Sequence, residues 1–384
     1  MEILFNCTTN IVGGGVKNSA IFIKHALERT EIKWKFAVSK PVVDILERWK
    51  INHSSIILFN ASPARNIKAR NRLQKLINEY RPDIVYTMAG PAYISSSQPH
   101  IMGISNPYIT HGRAEAFLIN KNRRELIKLL LSTCYQVLHA RRADSWIFQT
   151  ETARIGFIRR FKVASEKTHV IPNAIDNEFR RYFHGSLPHL IRPEQPVVFF
   201  CPAADYWHKA LSCIPAIAKA LRNLHSTNNK NFKFILTLPH DSQQLEFIRK
   251  KAEKYGVIKH IDNIGPYNYA DAISLLEKAD IVFAPSILET FSATYLEAFA
   301  SKRPLIVADR DFARSICNGG ALYIEPFSPQ NSAQKINELI INRKLQKSLI
   351  NYGLKILDKY GNQEIRIKNI ISLLKRIKDN ENLD

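Results

Sequence analysis

Along this chain, short apolar runs alternate with longer stretches in which apolar residues return every third or fourth position. Glu2–Thr8, Lys33–Val38, Ile56–Phe59, Asp83–Met88, Pro107–His111 and Ala143–Gln149 read as strands. Between them, Ala20, Ile23, Ala26 and Leu27 share one side of a helix, and Lys68–Tyr80 forms another. Arg123–Ala140 is the longest helical stretch. Its Leu126, Leu129, Leu130, Thr133, Cys134 and Val137 make a wide apolar stripe, the pattern of a core helix. The rhythm resumes with strands at Pro196–Cys201, Phe232–Leu238, Ile261–Gly265, Asp280–Ala284 and Pro304–Ala308. Helices follow over Ser328–Tyr360 and Glu364–Lys378. Strand–helix alternation predicts an α/β fold with parallel sheets. Asp83-Ile84-Val85-Tyr86 is echoed by Asp280-Ile281-Val282-Phe283, as two sheets of one design would be.

A chain of 384 residues exceeds a single typical core, so the sheets divide between two domains. The polar, proline-containing stretch Arg180–Pro196 places the boundary nearby, giving domains of 1–176 and 177–363. Apolar content of 45% and charged content of 23% describe an ordinary globular protein. Five scattered cysteines (Cys7, Cys134, Cys201, Cys213, Cys317) without a C-x-x-C argue for a reducing compartment and against a disulfide scaffold or zinc site. The first residues enter a strand without the layout of a signal peptide. No apolar run approaches the roughly 20 residues that span a bilayer. The expectation is a cytoplasmic protein, with a peripheral position on the inner face of the membrane left open.

Charge changes that picture. Lys+Arg 55 against Asp+Glu 34 gives a net +21, which draws a protein towards polyanions. The basic residues cluster at Lys68, Arg70, Arg72 and Lys75; at Lys121, Arg123, Arg124 and Lys128; at Arg154, Arg159, Arg160 and Lys162; and at Arg180 and Arg181. No RGG tract, zinc finger or RNP pattern accompanies them. An anionic membrane surface with an anionic substrate accounts for the charge better than nucleic acid does. Salt-sensitive duplex binding would favour the alternative of a basic nucleic-acid-binding protein.

The candidate chemistry centres on Pro285–Pro304, PSILETFSATYLEAFASKRP. Glu289 follows the strand-like Ile281–Ala284, and Glu297 lies on a helix whose buried side holds Leu296, Phe299 and Ala300. Ser292 or Thr290 can cap that helix. A strand, short loop and helix turn free amides and a positive dipole end towards an anion. Taken alone, the pair fits a loop glutamate and a helix glutamate facing water better than a ligand site, since such spacings arise by chance. Gly13-Gly14-Gly15 after the first strand forms a second candidate loop, although G-x-G-x-x-G is absent. His111 ends an expected parallel strand, where open sheets bind ligands.

The Pro285–Pro304 stretch resembles the donor-site signature of the retaining glycosyltransferases of family 4. Pro285, Ser286, Glu289, Phe291, Leu296, Glu297, Ala298, Ala300 and Pro304 match it, while Ser292 and Lys302 stand where that family has glycine. Val170–Asp176 is similar to the family's V-I-P-N-G-V-D, with Ala174 in the glycine's place. Asn318–Pro326 is similar to its late turn and strand. Lys209 matches a diphosphate-binding lysine, and the arginine that should precede it is missing near Ala204. The resemblance implies the GT-B fold, two Rossmann-like domains with parallel sheets facing across a cleft, the terminal helix of about 364–384 joining the first domain.

It also implies function. Glu297 would bind the donor ribose, and Lys209 with the amides of Phe291, Ser292 and Ala293 would hold the departing diphosphate. Glu289 and His111 would contact the transferred sugar, while Gly14, Gly15 and Asn173 complete the donor site. Transfer would retain anomeric configuration, with no metal and no cofactor, since the nucleotide-sugar is a substrate. The acceptor would be a glycan or lipid-linked molecule in bacterial-type surface polysaccharide or lipopolysaccharide synthesis. Arg303, Arg310, Arg314 or His208 could replace the missing arginine; if none does, a non-catalytic GT-B-like protein is the other reading.

Overall fold

The computed structural model describes residues 1–119, 122–192, 194–225, 231–268 and 271–381, so Lys121 and the last three residues of the expected terminal helix lie outside it. The chain forms two compact units. Unit 1 takes Met1–Gly112, Arg124–Asn173 and Asn362–Asp384, and unit 2 takes Arg113–Arg123 and Ala174–Gly361.

Unit 1 holds a parallel sheet of β1 (Glu2–Cys7), β2 (Lys33–Ser39), β3 (Ile56–Phe59), β4 (Ile84–Thr87), β5 (His100–Gly103), β6 (Ser145–Phe148) and β7 (Thr168–Val170). Their spatial order is β3-β2-β1-β4-β5-β6-β7. In β1, Ile3 and Phe5 pack against Phe22 and Ile23 of the Gly14–Leu27 helix and against Ile370 and Leu374 of the terminal Gln363–Glu381 helix. Leu4 faces the opposite layer with Leu73, Ile77 and Phe157. Alternation of side chains along the strand thus feeds two helical layers.

Unit 2 repeats the scheme with β8 (Val197–Cys201), β9 (Phe232–Leu236), β10 (Ile261–Asn263), β11 (Ile281–Ala284), β12 (Leu305–Ala308) and β13 (Leu322–Ile324), ordered β10-β9-β8-β11-β12-β13. Phe199, Phe234 and Phe283 build one layer, and Phe200, Val282, Tyr295 and Phe299 the other. The two Asp-initiated runs serve one purpose. Asp83 accepts from the backbone N–H of Glu2 at 2.7 Å, and Asp280 accepts from that of Val198 at 2.8 Å. Each staples the fourth strand of its unit to the first.

Two expectations fail. Pro107–His111 is a short helix, and the strand between β4 and β6 is β5 instead. Asn106 accepts from the Tyr108 N–H at 3.0 Å and Pro107 presets the first helical φ, a start signal that outweighs a short apolar run. The Arg123–Ala140 helix forms over the expected residues, but its stripe is not core. Of the six, Thr133 is buried, Leu126, Leu129 and Val137 are half-buried, and Leu130 and Cys134 are exposed. This helix is apolar on more than one side, and periodicity alone does not say which side turns inward. No described helix is long and apolar enough to cross a membrane.

Candidate functional site

In an open parallel sheet, ligands bind beyond the carboxyl ends of the strands where the winding reverses. In unit 2 that point lies between β8 and β11, which pair through Ile281 with Phe199 and Val282 with Phe200. The loop after β8 carries Lys209 and the loop after β11 carries Glu289. The two loops are stitched together where the Ile287 N–H donates to the His208 carbonyl at 2.9 Å. Thr237 at the end of β9 pins the start of the first loop, accepting from the Ala203 N–H at 3.0 Å. The left-handed backbone at Ala210 then closes the turn of Trp207–Lys209.

These constraints bring the Lys209 ammonium into a hydrogen-bonded ion pair with the Glu289 carboxylate. Both side chains are shielded, at 18% and 9% exposure. Neither charge would be stable there alone, because desolvation without a partner costs several kcal/mol per ion. The lysine at a strand-to-helix turn is therefore not a solvated one.

Beyond Glu289, Phe291 and Ser292 are buried and Ala293 is exposed at the start of the Ala293–Ala300 helix. Ser292 occupies the N-cap position, yet its side chain makes no capping bond, contrary to expectation. No acidic residue occupies the first turn, so the positive end of the helix is not offset by a carboxylate of its own. Glu297 is half-buried one turn further on. Tyr267, which the sequence reading missed, lies within range of its charge. Burial foremost, and then the charge of Glu297, raise the Tyr267 phenol above its ordinary range. Its ring tilts against Phe200 at 5.9 Å. Nothing in the local pattern around Tyr267 marks it, since the β10 loop comes within range of Glu297 only in the folded sheet.

The glycine replacements differ in consequence. Ser292 has φ −105°, which any residue adopts. Lys302 has φ +54°, where glycine is favoured, so the strain falls at the turn that leaves the helix.

The candidates for the missing arginine are engaged elsewhere. Arg303 is buried and donates to the carbonyls of Ala279, Ser301 and Glu277 at 2.7, 2.6 and 2.9 Å. Arg310 is held by Glu115 at 2.6 Å and Glu325 at 2.8 Å, which push its pKa further up. Arg314 pairs with Asp309 at 2.5 Å and lies over the Tyr323 ring. Burial pushes the His208 imidazole down to about 4, so it is neutral at pH 7. Among the described residues considered for this role, Lys209 is left as the cation at the head of this site.

His111, Gly14, Gly15 and Asn173 belong to unit 1, on three separate segments beyond the carboxyl ends of its sheet. Gly13 takes φ +72°, and Gly13 and Gly14 have no heavy atom within 4 Å of where a Cβ would sit. Asn173 is buried and accepts from Gln149 at 3.5 Å. The His111 Nδ1 and Thr110 Oγ1 are 2.7 Å apart. Gly156, also unmarked in the sequence, admits this helix: a Cβ there would stand 2.7 Å from the His111 Cβ and the Thr110 carbonyl. Arg160 donates to the Ile109 carbonyl at 2.9 Å and closes the helix end.

Residues 188–356 match the family model of glycosyl transferases group 1, and residues 13–179 match that of glycosyltransferase family 4. No curated protein matches the chain. Among solved structures, a glycosyltransferase from Rickettsia africae ESF-5 is 17% identical with a TM-score of 0.69, over 98% of each chain. Anabaena Alr3699/HepE in complex with UDP-glucose is 15% identical with a TM-score of 0.70, over 98% of this chain and 100% of that one. An E. coli trehalose-6-phosphate protein bound with UDP-2-fluoro glucose is 14% identical with a TM-score of 0.69, over 98% and 99%. With a donor-type motif in unit 2 and the two models matching successive halves, the chain belongs to the group 1, family 4 glycosyltransferases of GT-B fold.

Proposed function

We propose that this protein transfers a sugar from a nucleotide-sugar donor to a glycan or lipid-linked acceptor, with retention at the anomeric carbon. The observation that carries this reading is the shielded Lys209–Glu289 pair at the β8/β11 reversal, beside a helix start free of acidic residues. Donor binding would exchange partners. The diphosphate takes the Lys209 ammonium and the amides at Ser292 and Ala293, and Glu289 is released to the sugar hydroxyls. Glu297 accepts from the ribose, each charge-assisted bond contributing about 1.5–3 kcal/mol.

The anomeric carbon–oxygen bond to the diphosphate breaks as the acceptor oxygen bonds to the same face, and the acceptor proton passes to a diphosphate oxygen. Lys209 and the amides stabilise the charge that develops there. His111 takes the sugar-contact role and Gly14, Gly15 and Asn173 the donor-binding role that the family resemblance implies for them. Because lysine and amides offset the diphosphate charge, the reaction is metal-independent and needs no cofactor.

A UDP-hexose is the first donor to test, since UDP and UDP-glucose occupy the related Anabaena protein. Surface polysaccharide or lipopolysaccharide synthesis, in the cytoplasm against the inner face of the membrane, fits the +21 charge. A thermal-shift screen of UDP-, GDP- and ADP-sugars tests the reading, since a ligand at a hundred times its Kd stabilises by about 2.7 kcal/mol. Absence of any shift would remove it. Transfer unchanged by EDTA is expected. The missing arginine favours one other reading, donor binding without turnover, which measured transfer would discard.

A further inference from the structure

The Arg123–Ala140 helix leaves a second apolar stripe uncovered. Ile127, Leu130, Leu131, Cys134 and Leu138 fall within about 100° of its circumference and run about 16 Å along it. Leu131, Leu138 and Ile127 are 66%, 62% and 56% exposed, although a soluble helix normally turns such residues inward. Thr133 and Ala140, on the other side, are buried in unit 1. Arg123 and Arg124 are exposed at one end of the helix, and Arg141 and Arg142 at the other. Lys128 pairs with Glu125 at 2.9 Å.

In the other basic clusters several arginines are held by the fold, while Lys68, Lys75, Arg159 and Lys162 stay exposed. Arg70 lies over the Tyr93 and Tyr135 rings, and Arg72 lies over Phe59 and donates to the Leu58 carbonyl. Arg154 binds Glu151 and Thr168. Arg160 closes the helix of His111.

We infer that this helix is the membrane-docking surface, lying flat in the interface of an anionic bilayer with the Ile127–Leu138 stripe among the acyl chains. A second copy does not fit, because cations at both ends meet cations whether two such helices pair parallel or antiparallel. A bilayer supplies apolar cover for the stripe and anionic headgroups for both ends together. The inference sharpens the membrane part of the proposed function and rests on it only for the acceptor. Docking can fail while sugar transfer stands.

Co-sedimentation with phosphatidylglycerol-rich and with pure phosphatidylcholine vesicles tests it on the full chain. Binding is expected to the anionic vesicles and to fall in high salt. Ile127→Ser/Leu131→Ser/Leu138→Ser should lower it roughly tenfold or more, since each lost side chain removes buried apolar area. Arg123→Glu/Arg124→Glu should remove the preference for anionic lipid. Both variants should keep the thermal midpoint and the donor-induced thermal shift, which separates this test from that of the transferase reading. Wild-type partition by the stripe variant, equal binding to neutral and anionic vesicles, binding to neither, or a dimer that the stripe variant dissociates would each overturn the inference.

Discussion

The two sheets reverse their winding at equivalent places, β1/β4 in unit 1 and β8/β11 in unit 2, yet the loops there have opposite character. After β1 the chain offers glycines with open space around them, above a buried network without charge. Thr8 donates to Asn6, Asn6 to Thr87 at 3.2 Å, and Thr87 meets the neutral His100, which donates to the Arg142 carbonyl at 3.1 Å. After β8 and β11 stand a shielded lysine and glutamate, locked to each other. The same stapled frame thus carries an uncharged, open loop in one unit and a charged, closed pair in the other. Charge placed at a reversal point can meet charge on a ligand, whereas bare backbone can only let one approach.

The largest effect should come from breaking the charged pair. Lys209→Ala should lower transfer at least tenfold, as for loss of a charge contact in a water-poor site. Glu289→Ala should lower kcat more than it changes donor affinity. The double variant should lose much less than the sum of the two, because each single change strands the other charge. Additive losses in steady-state kinetics would mean that the two act separately.

Glu297→Ala should raise the donor KM about tenfold or more, matching one or two charge-assisted bonds, with a smaller change in kcat. Titration calorimetry with the donor checks it, and unchanged affinity would separate Glu297 from the ribose.

Acid should weaken both reversal points. Burial pushes His100 down to about 4, and His208 likewise, from an ordinary value near 6.5. A lowered histidine favours the proton-free folded state. The stability it contributes is complete above pH 6.5 and is lost as pH falls from 6.5 towards 4, by an amount on the order of a few kcal/mol for a fully buried ring. Urea unfolding at stepped pH should show that decline, and His100→Gln should flatten part of it.

The smallest effects should come from glycines that set element spacing. Gly353→Ala would put a Cβ 2.4 Å from the Phe299 ring behind the Glu297 helix, and Gly156→Ala would crowd His111. Each should cost about 1–3 kcal/mol of stability, read from denaturant midpoints. Gly353→Ala should also raise the donor KM, through the Glu297 helix.

Much of this was legible along the chain. Alternating strand and helix periods announced two parallel sheets, and the Asp83 and Asp280 echoes marked equivalent strands, because patterning and a strand-initiating carboxylate are local properties. The Pro285–Pro304 motif marked Glu289 and Glu297, and Lys209 followed from the same family resemblance rather than from its place after a strand. What needed the fold was everything set by contact between distant segments. Lys209 and Glu289 meet because β8 and β11 are neighbours, and the charge of Glu297 acts on Tyr267 of the β10 loop. Arg303 and Arg310 are engaged by groups that no spacing foretells. The helix at His111 was misread because a cap and a proline outweighed an apolar run, and the Arg123–Ala140 stripe because period shows that a helix has apolar sides without showing which one the sheet covers. Sequence determines which residues can share a face; only packing decides which face is inside.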